Sequence, residues 1–230
     1  MAVLALVRVL ARDALLRDLT WFTLRLMGQV KVDISTSLDG FITGPDDRPG
    51  QELGEGGMQL HEWVFGLASW RKPHGLEGGE TGPDDDLIEE ATTDIGAVVM
   101  GRRMFDLGEE PWGDDPPFHV PVFVLTHRDR EQLDKQGGTS FTFVTDGIAS
   151  ALDQAREAAG DKNISVAGGA ETVQQLVAAG LVDEIQLHVA PLFLGRGKRL
   201  FDELGKEIEL ERMRMVDSPG VTHLKYRVVK

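Results

Sequence analysis

The sequence contains no cysteine. That absence removes disulfides, thiolate metal ligands and cysteine nucleophiles together, and it suits a reducing, cytoplasmic interior. Positive charge is scarce: 24 lysines and arginines stand against 38 acidic residues. A field of that sign repels phosphate backbones and anionic bilayers, so neither nucleic acid nor a membrane is an expected partner. Long uncharged apolar runs are missing too. In the amino-terminal MAVLALVRVLARDALLRDLTWFTLRLM the stretch AVLALV ends at Arg8, well short of the roughly twenty apolar residues of a membrane span. The charges that follow fall all round a helical wheel and leave no apolar face. Met27 comes just before the first convincing strand, so residues 1–26 are expected to be an extension ahead of one domain covering 27–230.

Several familiar site patterns are also absent. No G-x-G-x-x-G follows the first strand, and GEGG at 54–57 lies in a long polar stretch instead. Ser165 in ISVAGG lacks the glycine two places earlier that a nucleophile elbow requires. HEWVF, beginning at His61, has no second histidine at the zinc-binding interval, and the six histidines are dispersed, so no metal is expected. A Rossmann dehydrogenase, a serine hydrolase and a zinc hydrolase are all disfavoured.

What is present is an alternation of strands and helices. VKVDIS (30–35), AVVM (97–100), VFVLT (122–126), FTFVT (141–145), ISVAG (164–168) and EIQLHVA (184–190) read as strands, several of them apolar on both faces. MQLHEWVFGLA, DDLIEEATTD, GIASALDQAREAAG and ETVQQLVAAG carry apolar residues at helical spacing, with Asp84–Asp86 and Asp146 as starts and Gly160 and Gly180 as stops. LERMRMV and VTHLKYRVV flank Asp217-Ser218-Pro219-Gly220, a turn sequence for an antiparallel hairpin. The expected class is α/β, a three-layer arrangement around a mixed, mostly parallel sheet. Polar stretches at about 43–57 and 69–83 read as long loops, of the kind that form lids or lie disordered.

The chemistry concentrates where strands end. Gly168, Gly169 and Ala170 stand between a strand and a helix start, where small residues let an anion approach backbone N–H groups; plain turn geometry explains them equally well. AVVM runs into Gly101, Arg102 and Arg103, and VFVLT into His127 and Arg128. Ligands of open α/β sheets bind beyond such carboxyl ends. Three of them carrying glycine, hydroxyl or cationic groups, in an acidic chain, point to a nucleotide phosphate.

The segments STSLDGFITGP, VVMGRRMF, FVLTHR and ISVAGGAETVQQLVAAGLVDEIQLHVAPLFLGRGKRLF together resemble the dihydrofolate reductase-like superfamily. The resemblance is greatest to the carboxy-terminal reductase domain of the bifunctional riboflavin-biosynthesis deaminase-reductase. It covers about residues 29–229 and implies a dihydrofolate reductase-like fold, an NADPH cofactor, hydride transfer to a C=N or C=O carbon, and pairing as a homodimer. It places Gly101, Arg102 and Arg103 at the cofactor phosphates, Thr126, His127 and Arg128 near the adenosine 2′-phosphate, and Gly168, Gly169, Ala170, Glu171 and Thr172 at the pyrophosphate turn. Ser37, Leu38, Asp39 and Gly40 would line the reacting centre. Asp39 is the expected catalytic group, against the plain alternative of an Asp-Gly turn residue. Folate reductases keep an acid on their first helix, and His61 and Glu62 are the residues on offer in MQLHEWVF, with Glu62 taken as substrate-binding. Arg196, Lys198 and Arg199 could hold a substrate phosphate or form a solvated basic loop. Two other readings stay open: a non-catalytic nucleotide-binding dimer, and a dihydrofolate reductase proper.

Overall fold

The computed structural model of the protein describes residues 28–202 and 204–230; the expected extension at 1–26 and Met27 lie outside the described residues. Among the described residues nine strands form the main sheet: β1 (Val30–Ser37), β3 (Ile95–Gly101), β4 (Pro121–Leu125), β5 (Leu133–Asp134), β6 (Ser140–Val144), β7 (Asn163–Gly168), β8 (Glu184–Ala190), β10 (Leu210–Ser218) and β11 (Val221–Val228). Their order is β10-β11-β8-β1-β7-β3-β4-β6-β5, and β2 (Phe41–Thr43) pairs separately with β9 (Lys198–Arg199). Every contact from β8 through β1, β7, β3 and β4 to β6 is parallel. The carboxy-terminal hairpin adds β11 and β10 antiparallel, as expected. The three two- or three-residue pieces β2, β5 and β9 are too short for a periodic signal.

Among the described residues four helices of nine or more residues cover the sheet: α1 (Pro83–Thr92), α2 (Arg102–Trp112), α3 (Ile148–Ala159) and α4 (Ala170–Ala178). Alternation along each strand sorts side chains onto two faces. Val30 and Val32 of β1, Ala97 and Val99 of β3, and Ile164 and Val166 of β7 pack against Ala151, Leu152 and Ala155 of α3 and Val173, Leu176 and Val177 of α4. On the other face, Val98, Met100, Val122, Val124, Phe141 and Phe143 enclose Phe105 of α2. That second face changes character at β1, where the alternate residues are Lys31, Asp33, Ser35 and Ser37, and β8 adds buried Gln186 and His188. Helix α1 lies over this polar half, with Leu87 and Ala91 beside Lys31 and Asp33.

Two local expectations are corrected. MQLHEWVFGLA is not an α-helix: Gly57–His61 is a 3-10 turn, and Val64 and Leu67 donate to carbonyls only three residues back. Glu80 takes the backbone groups of Gly66 and Ala68, which a continuing helix would need. Helix starts also differ, since Gly82 and Gly147, rather than aspartates, occupy the caps of α1 and α3. The aspartates of α1 fill its first turn, where negative charge suits the helix dipole. Helix α2, not singled out from the sequence, carries Gly108 and Pro111 within its span.

Leu176 is fully buried between α4 and the sheet. Leu176→Ala is expected to lower unfolding free energy by about 2–5 kcal/mol, read from urea denaturation.

Candidate functional site

Parallel pairing sends the carboxyl ends of β1, β7, β3, β4 and β6 to one rim of the sheet. The segments expected to gather there do so. A Cβ on Gly101 would stand 2.7 Å from Thr172 Oγ1 and 3.4 Å from Gly169 N, so glycine is what lets the end of β3 touch the turn between β7 and α4. Gly168 and Gly169, joined by a cis peptide, close β7. Helices α2, α3 and α4 all start on this rim, capped by Gly101, Gly147 and Gly169, and none has a side-chain cap. No side chain takes their leading N–H groups, although in α4 Thr172 N donates to Gly169 O, so the helix dipoles face the rim without a capping oxygen. Ala170 and Thr172 are buried in the turn, and Glu171 points to solvent.

The cations at the rim are ordered by carboxylates. Asp106, one turn along α2, accepts from Arg102 Nε at 2.6 Å and from Arg128 Nη2 at 2.9 Å, and Arg102 Nη1 also donates to Arg128 O at 3.3 Å. Thr126 Oγ1 accepts from Arg128 N at 3.0 Å, which fixes the turn after β4. Two guanidiniums sharing one carboxylate leave a net positive charge, and His127 stands exposed beside them. Arg130, unassigned from the sequence, makes a bidentate pair with Glu109 at 2.6 and 2.8 Å and, with Arg102, lies over the Phe143 ring.

Arg103 turns elsewhere. Its guanidinium grips Asp47 of the 43–57 loop, which also accepts from Lys198 Nζ at 2.9 Å. Burial opposes charge on Asp47, but Arg103 and Lys198 outweigh it and hold the carboxyl below its ordinary value. The other cations of GRGKRLF are also engaged: Arg196 with Glu55, and Arg199 with Asp39 O while lying over the Phe41 ring. The basic loop is thus a clasp joining β9 and the 43–57 loop to the rim. Gly197 belongs to the same close approach, since a Cβ there would meet Thr43 O at 2.0 Å.

Around the reacting centre expected from the sequence, Ser37 is buried, Leu38 is exposed, and Gly40 takes a positive φ in the turn leading to β2. Asp39 is committed. The Ser37 hydroxyl donates to it at 2.5 Å, and the N–H groups of Gly195 and Leu194 donate at 2.8 and 3.1 Å. The Ser37 hydroxyl first, then the two amides, keep its carboxyl below the usual range. Asp39 is a fixed anion pinning the 191–197 segment, which suits its turn reading better than proton donation. Glu62 is exposed, and His61 lies on the 3-10 turn.

The sequence gives no hint that His188 and His223 meet. They face each other across β8 and β11, almost wholly buried, with Nδ1 atoms 2.6 Å apart. His188 Nε2 lies 2.9 Å from Asp33 and His223 Nε2 3.1 Å from Asp84. Trp63 covers both rings and donates to Ser35 Oγ at 3.2 Å. The available signal was the polar alternation of Lys31, Asp33, Ser35 and Ser37 in a central strand, but it does not name partners 155 residues away.

The sequence profile of the RibD C-terminal domain family matches residues 29–224. The chain belongs to the RibD C-terminal domain family. Two Bacillus subtilis (strain 168) proteins, YyaP and YwjB, both of uncharacterised function, are similar to it. YyaP is 29% identical over 210 residues, covering 86% of this chain and 94% of YyaP. YwjB is 36% identical over 137 residues, covering 56% of this chain and 71% of YwjB. Among solved structures, a protein of Shewanella sp. PV-4 assigned to riboflavin biosynthesis superposes with a TM-score of 0.60 at 21% identity, over 88% of this chain and 99% of that one. The Thermotoga maritima deaminase/5-amino-6-(5-phosphoribosylamino)uracil reductase gives 0.57 at 13% identity, over 88% of this RibD-family chain and 57% of its own length. Dihydrofolate reductase from Enterococcus faecalis, complexed with NADP(H), gives 0.50 at 13% identity, over 89% and 99%. These likenesses establish the dihydrofolate reductase-like fold.

The Asp47 clasp yields a prediction. Because its folded carboxyl is held below the ordinary 3.8, the clasp is complete above that pH and is lost as pH falls through the depressed value. Limited proteolysis should cut within 43–57 faster in Asp47→Ala at neutral pH, and an acid-stable protease should cut wild type there only as the pH drops below 3.8.

Proposed function

We propose that this chain is an NADPH-dependent reductase, resembling the uracil reductase of riboflavin biosynthesis, that transfers hydride to a C=N or C=O carbon of a small heterocyclic or sugar-derived compound. It would act in the cytoplasm as a homodimer. The observation that carries the reading is the joining of Gly101 to Gly169 and Thr172, which sets two uncapped helix starts side by side at the rim. A diphosphate would suit that cradle: the free backbone N–H groups at the two helix starts would be offered to its oxygens, whereas a side chain at residue 101 would collide with Thr172 and force the two starts apart. Arg102 and Arg128, tied to each other through Asp106, suit a further phosphate on the ribose. Thr126 holds the turn that presents Arg128, and Gly168–Thr172 shape the cradle.

When bound, the cofactor supplies the hydride at its nicotinamide C4. The chain's own residues orient the reactants and provide a proton. Ser37, Leu38 and Gly40 border the end of β1, where the substrate would lie. The family's acid on the first helix is not at Glu62, since that segment is not helical. Among the described residues the first long helix is α1, whose first turn carries Asp84, and Asp84 takes that place on this reading. A non-catalytic nucleotide-binding dimer is the second reading, favoured by the commitment of the Asp39 carboxylate to three hydrogen bonds.

Fluorescence titration with NADPH and NADH, followed by absorbance assays with dihydrofolate, the phosphoribosylaminouracil and a simple dicarbonyl, tests the assignment. NADPH binding with oxidation by one of the three supports the reductase; tight binding without oxidation supports the second reading. Arg128→Ala is expected to weaken NADPH about tenfold or more and leave NADH nearly unchanged, the loss of a charge-assisted hydrogen bond of about 1.5–3 kcal/mol. Equal losses for the two cofactors would remove Arg128 from the 2′-phosphate.

A further inference from the structure

Two imidazole nitrogens 2.6 Å apart cannot both present lone pairs, so a proton lies between His188 Nδ1 and His223 Nδ1. Each outer nitrogen faces a carboxylate oxygen, at 2.9 Å for Asp33 and 3.1 Å for Asp84, and an ionised carboxylate in that place calls for an N–H on the nitrogen facing it. Three ring protons on two imidazoles make one neutral ring and one cation. The pair therefore carries a single positive charge, flanked by two carboxylates and sealed from water: the histidine side chains are 2% and 1% exposed. The ends are open, with Asp33 27% and Asp84 26% exposed. Asp33 borders a cavity of about 30 Å³ shared with Lys31, Gln186 and Lys225, room for one water. Asp84 also accepts from Ser218, at the β10–β11 turn on the carboxyl-end side of β8.

We propose that the His188–His223 pair is the proton store of the reductase site, holding one excess proton that it exchanges through Asp84. This rests on the reductase reading above. Hydride transfer adds two electrons and one hydrogen to the substrate carbon and leaves the heteroatom needing a proton. His223 Nε2 passes its proton to Asp84, and Asp84 to the heteroatom or a water on it. The shared Nδ1 proton stays on His223, and the pair falls from one positive charge to none. Solvent reloads it by the same route. His188 touches neither substrate nor cofactor and is a positioning residue.

The charges facing the pair are few. Asp33 comes from β1, Asp84 from α1, and His61 from the 3-10 turn, while Lys31, Glu184 and Lys225 lie further down the same face. Burial pushes His61 down to about 4, and charge on His188 adds to that, so His61 is neutral at physiological pH and does not compete for the proton. His223 is pushed down by burial and by His188, against the pull of Asp84 and Asp33. These opposing influences favour one charge on the pair over two.

Nitrogen-15 NMR of histidine-labelled wild type is the direct test. Three of the pair's four ring nitrogens should be protonated at neutral pH, and one proton should be lost in a single step as pH rises. Two or four protonated nitrogens would overturn the assignment. The link to reduction is read from NADPH oxidation against whichever of the three assay compounds is turned over. Activity needs the loaded pair, so it falls as pH rises through the pair's titration. Asp33→Asn, a nearly isosteric change remote from the rim, withdraws one stabilising carboxylate. It should move that limb down by about one pH unit, which is about tenfold in rate above the limb, and leave NADPH affinity within twofold. His188→Gln should lower kcat rather than raise KM and enlarge the solvent isotope effect. Turnover with an unmoved limb in Asp33→Asn overturns the proton store alone. Absence of turnover with all three compounds removes the reductase reading, and the store's role in it, whatever the spectrum shows.

Discussion

Parallel pairing of β1, β7, β3, β4 and β6 is the constraint from which the rest follows. It forces each crossover helix to begin at the same rim where its strand ends, so the glycines and arginines at those junctions need no further device to bring them together. Close contact between Gly101 and the Gly169–Thr172 turn then depends on residue 101 having no side chain. Given that contact, the rim of a chain with a formal charge of −14 acquires its arginines and uncapped helix starts from local geometry.

The sheet is two-sided in a second sense. Its right half, β3 to β6, packs aromatic rings against α2 and behaves as an ordinary core. Its left half buries charged and polar groups between β1, β8, β11 and α1, where each must find a partner or be costly to enclose. Asp33, His188, His223 and Asp84 satisfy one another in a line. Trp63 closes the line and satisfies its own indole N–H on Ser35.

Much of this was readable beforehand. The six principal strands, the closing hairpin, three helices and the junction glycines carry strong local signals, because buried strands and strand-to-helix turns restrict residue type at adjacent positions. Arg103 and Asp39 show the limit. A sequence reveals that an arginine follows a strand, but the choice between a ligand and Asp47 is made by a loop more than fifty residues away. Asp39 likewise reads as an exposed turn acid until the amides of Gly195 and Leu194 arrive from the far end of the chain. The histidine pair is the extreme case, with four members drawn from four elements and only the polar alternation around Asp33 to mark any of them.

The clasp at Asp47 and the arginines at the rim differ in how they meet the solvent. The Asp47 side chain is 10% exposed, whereas that of Arg128 is 69% exposed. Mobile ions screen exposed charge over a Debye length of about 8–10 Å at ordinary ionic strength and reach enclosed charge poorly. Rising ionic strength therefore dulls the long-range field of the rim arginines while the 43–57 loop beside them stays tied, so salt acts first on how fast an anion is drawn in and only later on the shape of the rim.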